Sequence, residues 1–130
     1  MTLRLMTDPR SEIRAGVAGG SIAWWNDYDT HYTERFLGKP QDEPEAYEAA
    51  SVIPRLAQLR GRLMLVHGMA DDNVMFDHAT SMITELQRLG KTFDLMVYPG
   101  QRHVIVGAEA RTHMLRTYRE FFDRELAGHA

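Results

Sequence analysis

Two segments of this chain carry residue types suited to acid–base chemistry. His67-Gly-Met-Ala-Asp-Asp-Asn-Val74 sets two carboxylates and an amide in a row, and Tyr98-Pro-Gly-Gln-Arg-His-Val-Ile105 holds His103. A carboxylate bonded to one ring nitrogen of a histidine fixes the tautomer and stabilises the imidazolium, so the other nitrogen can take a proton from a nucleophile. Where that nucleophile is a serine at a strand-to-helix elbow, one known chain order is serine, acid, histidine. The acid and the histidine stand here in that order. Taken singly, each has a plainer reading: Asp-Asp-Asn before a helix is an ordinary capping cluster, and a loop histidine is ordinarily solvated. Order and placement together favour the catalytic reading, although residue chemistry does not choose between Asp71 and Asp72.

The elements that must position these residues follow from periodicity. Residues 63–66, Leu-Met-Leu-Val, form an apolar run of strand type. Phe76, Ala79, Ile83, Leu86 and Leu89 then recur at helical spacing, with Asp77 near the positive end and Gly90 as the stop. Residues 93–98 read as the next strand, closed by Pro99-Gly100, and a last helix over about 110–126 carries Met114, Tyr118, Phe121 and Phe122 on one face. Upstream, residues 2–7 read as the tail of a helix stopped by Asp8-Pro9, and 13–18 as a strand closed by Gly19-Gly20. Residues 24–36 are aromatic-rich and irregular, with short helices, and 45–50 form one or two helical turns.

Strand-helix-strand-helix with short links predicts right-handed parallel crossovers in an α/β sheet flanked by helices. Sites in open parallel sheets lie outside the carboxyl ends of the strands, and neighbouring strands are roughly 5 Å apart. The loop bearing Asp71, Asp72 and Asn73 and the loop bearing His103 therefore open on one edge.

Composition sets outer bounds. The 130 residues suit one domain; with 44% hydrophobic and 25% charged residues the chain is of ordinary globular type. A net charge of -3 and no Lys/Arg run argue against nucleic-acid binding, and no apolar stretch is long enough to span a bilayer. The absence of cysteine excludes disulfides, thiolate metal sites and a cysteine nucleophile.

The segment 67–74 resembles the acid loop of the prolyl oligopeptidase family of serine peptidases, in its dipeptidyl peptidase IV branch. Trp25-Asn-Asp-Tyr-Asp-Thr-His-Tyr-Thr-Glu-Arg-Phe-Leu-Gly38 resembles the same branch's aromatic run. The likeness extends over nearly the whole chain and implies the C-terminal portion of an α/β-hydrolase fold. It implies Asp71 as triad acid, His103 as triad base, and Asn73 as a contact to a substrate carbonyl. Trp25, Tyr28, Tyr32 and Val74 match the walls of an apolar pocket for proline or alanine, with Ile22 a weaker match. Flat aromatic faces and a branched aliphatic suit a small ring-shaped side chain. The chemistry needs no metal or organic cofactor, and the partner implied is a peptide.

The sequence also departs from the family pattern. Val104 stands where the family places a glycine after the histidine, and a β-branched residue is costly if φ is positive there. None of Ser11, Ser21, Ser51 and Ser81 lies in a Gly-x-Ser-x-Gly elbow, so the nucleophile is expected just upstream of Met1, with the family's β-propeller further still. Residues 1–130 are then a partial catalytic domain, expected to be inactive alone and prone to self-association or to association with the rest of the domain. An exported, periplasmic-type location is expected for the longer parent. Two other readings remain: a non-catalytic remnant binding peptides or a partner through the 25–32 pocket, and a piece of an acylaminoacyl peptidase or esterase relative.

Overall fold

The apolar run at 63–66 is the middle of a longer strand, β2 (Arg62–Gly68), in the computed structural model, which describes residues 1–127. Six consecutive residues of β2, from Leu63 to Gly68, are buried, as expected of a strand covered on both faces. Its side chains alternate between two cores. Leu63 and Leu65 point into one cluster with Leu3, Met6, Leu56, Met82 and Leu86; Met64 and Val66 point into another with Tyr98 and Phe121.

Strands β1 (Ala15–Gly19) and β3 (Asp94–Tyr98) flank β2, both parallel to it, in the order β1-β2-β3. Helices α1 (Thr2–Met6) and α4 (Phe76–Arg88) cover the first core, and α5 (Ala108–Leu126) covers the second. Met82 and Leu86 on α4 are fully enclosed; each such side chain contributes about 1.5–3 kcal/mol of burial. The α/β architecture expected from the sequence is the one observed. The aromatic stretch at 24–36 is more regular than expected: a 3-10 turn at Trp25–Asp27, then helix α2 (Thr30–Leu37), with Asp29 accepting a hydrogen bond from the Tyr32 amide at its start. Pro44–Ala50 forms α3, and a further 3-10 segment spans Ile53–Gln58.

What brings the two functional loops together is the exit of β2. Ladder pairing of β2 with β3 ends at Gly68↔Tyr98, yet backbone bonding continues beyond it. Met69 N–H donates to Tyr98 O at 3.0 Å, and Ala70 N–H to Gln101 O at 2.9 Å. The loop carrying His103 thus lies directly on the backbone of the loop carrying Asp71. Gly68 makes the approach sterically allowed: a Cβ there would overlap the carbonyl oxygens of Gln101 and Arg102.

Since those oxygens are backbone and cannot swing aside, Gly68→Ala should destabilise the chain by about 2 kcal/mol. A lowered urea midpoint at unchanged slope is the expected readout. An unaltered midpoint would mean that the loops do not touch at this glycine.

Candidate active site

Asp71 is the centre of the site. Its side chain is completely enclosed (0% exposed), and its two oxygens have separate tasks. Oδ1 accepts the backbone N–H groups of Asn73 and Val74, both at 3.0 Å, which closes the turn before α4. Oδ2 lies 2.9 Å from His103 Nδ1. One oxygen thus makes the capping contacts and the other meets the histidine ring. Asp72 points away to pair with Arg102 at 2.8 Å, and 62% of its side chain is exposed. Of the two aspartates, Asp71 is the one whose carboxylate meets His103.

An ionised carboxylate can only accept, so the proton shared with His103 sits on Nδ1 and leaves Nε2 with the free lone pair. The ring is 39% exposed and lies over the turn that ends β1. A Cβ on Gly20 would come within 2.9 Å of His103 Cε1 and push the ring aside, and φ at Gly20 is +50°, a conformation that favours glycine. A cleft of about 350 Å³ opens beside the ring, lined in part by Gly19, Gly20, His103, Val104, Arg111 and Tyr118. Val104 costs no backbone strain: among the described residues, only glycines have positive φ. Its side chain is exposed at the cleft.

His67 is a participant that the motif contained and residue-type reasoning did not assign. It is buried on β2, with Nε2 2.8 Å from Val74 O and 3.2 Å from Asp71 Oδ2. Phe76 of α4 packs edge-on against its ring at 5.6 Å between centroids. The available signal was positional: a histidine inside an otherwise apolar buried strand needs a polar partner.

The aromatic residues also cluster. Trp25 stacks on Tyr32 at 6.1 Å, and Tyr28 meets both edge-on at 5.8 and 5.9 Å. The Trp25 indole N–H donates to Ala50 O at 3.1 Å and its backbone N–H to the Ser51 hydroxyl at 3.1 Å, which fixes the ring's position. The Tyr28 hydroxyl donates to Asn73 Oδ1 at 2.7 Å, so the cluster is tied to the acid loop. Trp25 and Tyr32 line one apolar cavity of about 320 Å³, and Ile22 and Trp25 line an adjoining one of about 300 Å³. Val74 is buried, 3% exposed, and presents its backbone to Asp71 and His67.

Electrostatics keep the acid ionised. Burial pushes the Asp71 carboxyl up, but the bonds from His103 and from the Asn73 and Val74 amides outweigh it, and the net shift is downward. Behind the site, His78 of α4 is buried with Nδ1 accepting the Ala23 N–H at 3.2 Å, and burial pushes its imidazole down despite the nearby Asp27 carboxylate.

Comparison with known proteins gives a consistent result. The model of the prolyl oligopeptidase family matches residues 1–129. Dipeptidyl peptidase 8 of Mus musculus is 39% identical over 108 residues, covering 80% of this chain and 12% of the mouse protein. Dipeptidyl peptidase family member 1 of Caenorhabditis elegans is 37% identical over 124 residues, covering 89% of this chain and 15% of the worm protein. The crystal structure of Porphyromonas gingivalis dipeptidyl peptidase 4 superposes with a TM-score of 0.87 at 32% identity, covering 93% of this chain and 17% of that one. This chain therefore spans less than a fifth of the length of each of these relatives.

His78 gives the fold a pH dependence whose sign is fixed. Its folded value lies below the ordinary 6.5, so the unfolded chain takes up the proton first. Its contribution to stability is full above that value and is lost as pH falls through 6.5 toward the folded value. His78→Asn keeps an acceptor near Nδ1 without the titration. The unfolding free energy of this variant should fall less steeply between about pH 7 and pH 5 than that of the unsubstituted chain; equal slopes would count against a buried neutral His78.

Proposed function

The chain belongs to the prolyl oligopeptidase family, and from that premise we propose that it supplies the acid, the base and the specificity pocket of a serine dipeptidyl peptidase. The observation that carries the proposal is the 2.9 Å contact between His103 Nδ1 and the enclosed Asp71 Oδ2, on loops after adjacent parallel strands. His103 Nε2 takes the serine proton as the hydroxyl oxygen attacks the scissile carbonyl. It then returns that proton to the departing amine, leaving an acyl-enzyme for water to cleave. Asp71 remains ionised throughout and stabilises the imidazolium.

Substrate selection falls to the aromatic cluster. Trp25, Tyr28 and Tyr32 offer flat apolar faces suited to proline or alanine at the second position. Because Asn73 Oδ1 is taken by the Tyr28 hydroxyl, its amide hydrogens remain for a substrate carbonyl. None of the serines Ser11, Ser21, Ser51 and Ser81 suits the role of nucleophile, so the proposal draws it from a longer polypeptide. Ser51 is buried and committed to the Trp25 amide, Ser81 lies on α4, Ser11 caps a local turn, and Ser21 follows Gly19-Gly20 with no glycine two residues on. The 130-residue chain alone should not hydrolyse peptides. An ester-selective relative is the second reading, since it would use the same acid and base in the same order.

In a polypeptide that unites this chain with its serine elbow, Asp71→Asn and His103→Ala should each lower kcat on a Gly-Pro anilide by roughly 10³- to 10⁴-fold. Retention of near-full activity in either variant would refute the assignment. Faster turnover of simple esters than of Gly-Pro substrates would favour the esterase reading.

A further inference from the structure

We infer that His67 is a positioning residue that holds the Asp71 carboxylate in register with the backbone of Val74, an inference that rests on Asp71 being the acid of the site. Two oxygens lie within 3.2 Å of His67 Nε2, the Val74 carbonyl at 2.8 Å and Asp71 Oδ2 at 3.2 Å. Neither can donate, so Nε2 must carry a hydrogen whatever the state of Nδ1. That hydrogen is directed to the Val74 carbonyl, and its positive end lies beside Oδ2. Val74 in turn donates its N–H to Asp71 Oδ1 at 3.0 Å. Acid, turn and strand histidine form a closed ring of contacts in which both backbone groups of Val74 are used.

The consequence is chemical as well as structural. Oδ2 is the oxygen that His103 also uses, at 2.9 Å. It therefore sits between two imidazoles from different elements, one from within β2 and one from the loop after β3. The N–H of His67 stabilises the anion of an enclosed side chain, and it fixes the carboxylate plane so that Oδ2 stays aimed at His103. Edge-on packing of Phe76 keeps the His67 ring in the one orientation that does this. The other charged or titratable groups near the ring and the acid are His78, with Asp27 and Asp77 beside it, on the α4 side. At the surface there are the Asp72–Arg102 pair and Arg111 of α5 at the cleft. None of them takes the place of His67 between the Asp71 and Val74 oxygens.

The test separates this inference from the peptidase reading. In the 130-residue chain labelled with ¹³C, the Asp71 carboxylate is titrated by NMR in the unsubstituted protein, His67→Phe and His67→Gln. Gln carries its side-chain N–H₂ to about the position of Nε2, whereas Phe keeps the ring and loses the donor. The Asp71 midpoint should rise by about one pH unit in His67→Phe and return most of the way in His67→Gln. Backbone amide spectra check that both variants fold. If His67→Phe does not fold, a midpoint in His67→Gln close to the unsubstituted value supports the inference. A midpoint raised by about a unit in that variant overturns it. An unshifted midpoint in a folded His67→Phe chain overturns it as well. In the polypeptide with its serine elbow, His67→Phe should lower kcat about tenfold, leave KM little changed, and be rescued by Gln. A change in KM alone would overturn the positioning role. If the NMR shift is present while that polypeptide cleaves no Gly-Pro substrate, the peptidase reading fails and the contact between His67 and Asp71 stands.

Discussion

A buried carboxylate is the constraint around which this structure is arranged. Removing an ionised group from water costs several kcal/mol unless its lone pairs are met by well-placed donors. Asp71 meets that condition with two amides on Oδ1 and an imidazole on Oδ2, with a second imidazole alongside. Each donor comes from a feature with a separate structural origin. The amides come from the tight turn between β2 and α4, one imidazole from the end of a fully buried strand, and the other from the loop of the neighbouring strand. If any one of these were displaced, the buried charge would lose part of its compensation. This explains why two glycines stand where they do. Gly68 lets the His103 loop lie on the acid loop, and Gly20 leaves room for the ring of His103.

The same contacts extend to the aromatic cluster. Tyr28 hangs on the side chain of Asn73, whose own backbone N–H binds Asp71 Oδ1, and Trp25 is held from behind by Ala50 and Ser51. The aromatic cluster is therefore linked to the turn that caps the carboxylate by one side-chain hydrogen bond.

Much of this was legible in the sequence, for identifiable reasons. The apolar run at 63–66 and the period-3.6 patterns at 76–89 and 110–126 are strong because β2 buries both faces and each helix packs one apolar stripe on the sheet. The order of acid and histidine along the chain, each after a predicted parallel strand, is enough to place both residues at one sheet edge. Less legible was the segment at 24–36, whose helix α2 buries only Thr33 and so lacks an apolar stripe to announce it. The choice of Asp71 over Asp72 was closed to residue chemistry, because adjacent side chains leave the backbone in different directions and only the fold says which one faces inward. His67 was hidden for the opposite reason: it occupies a core position in a strand, where periodicity anticipates an apolar residue.

The central claim is that Asp71 sets the tautomer of His103, leaving Nε2 as the basic atom. The most direct measurement is the ¹⁵N chemical shift of both His103 ring nitrogens in the unsubstituted chain and in Asp71→Asn, at a pH where the ring is neutral. The account predicts that the Nδ1–H tautomer predominates in the unsubstituted chain and loses that predominance in Asp71→Asn. A ring already mainly in the Nε2–H form, or one indifferent to the substitution, would contradict it.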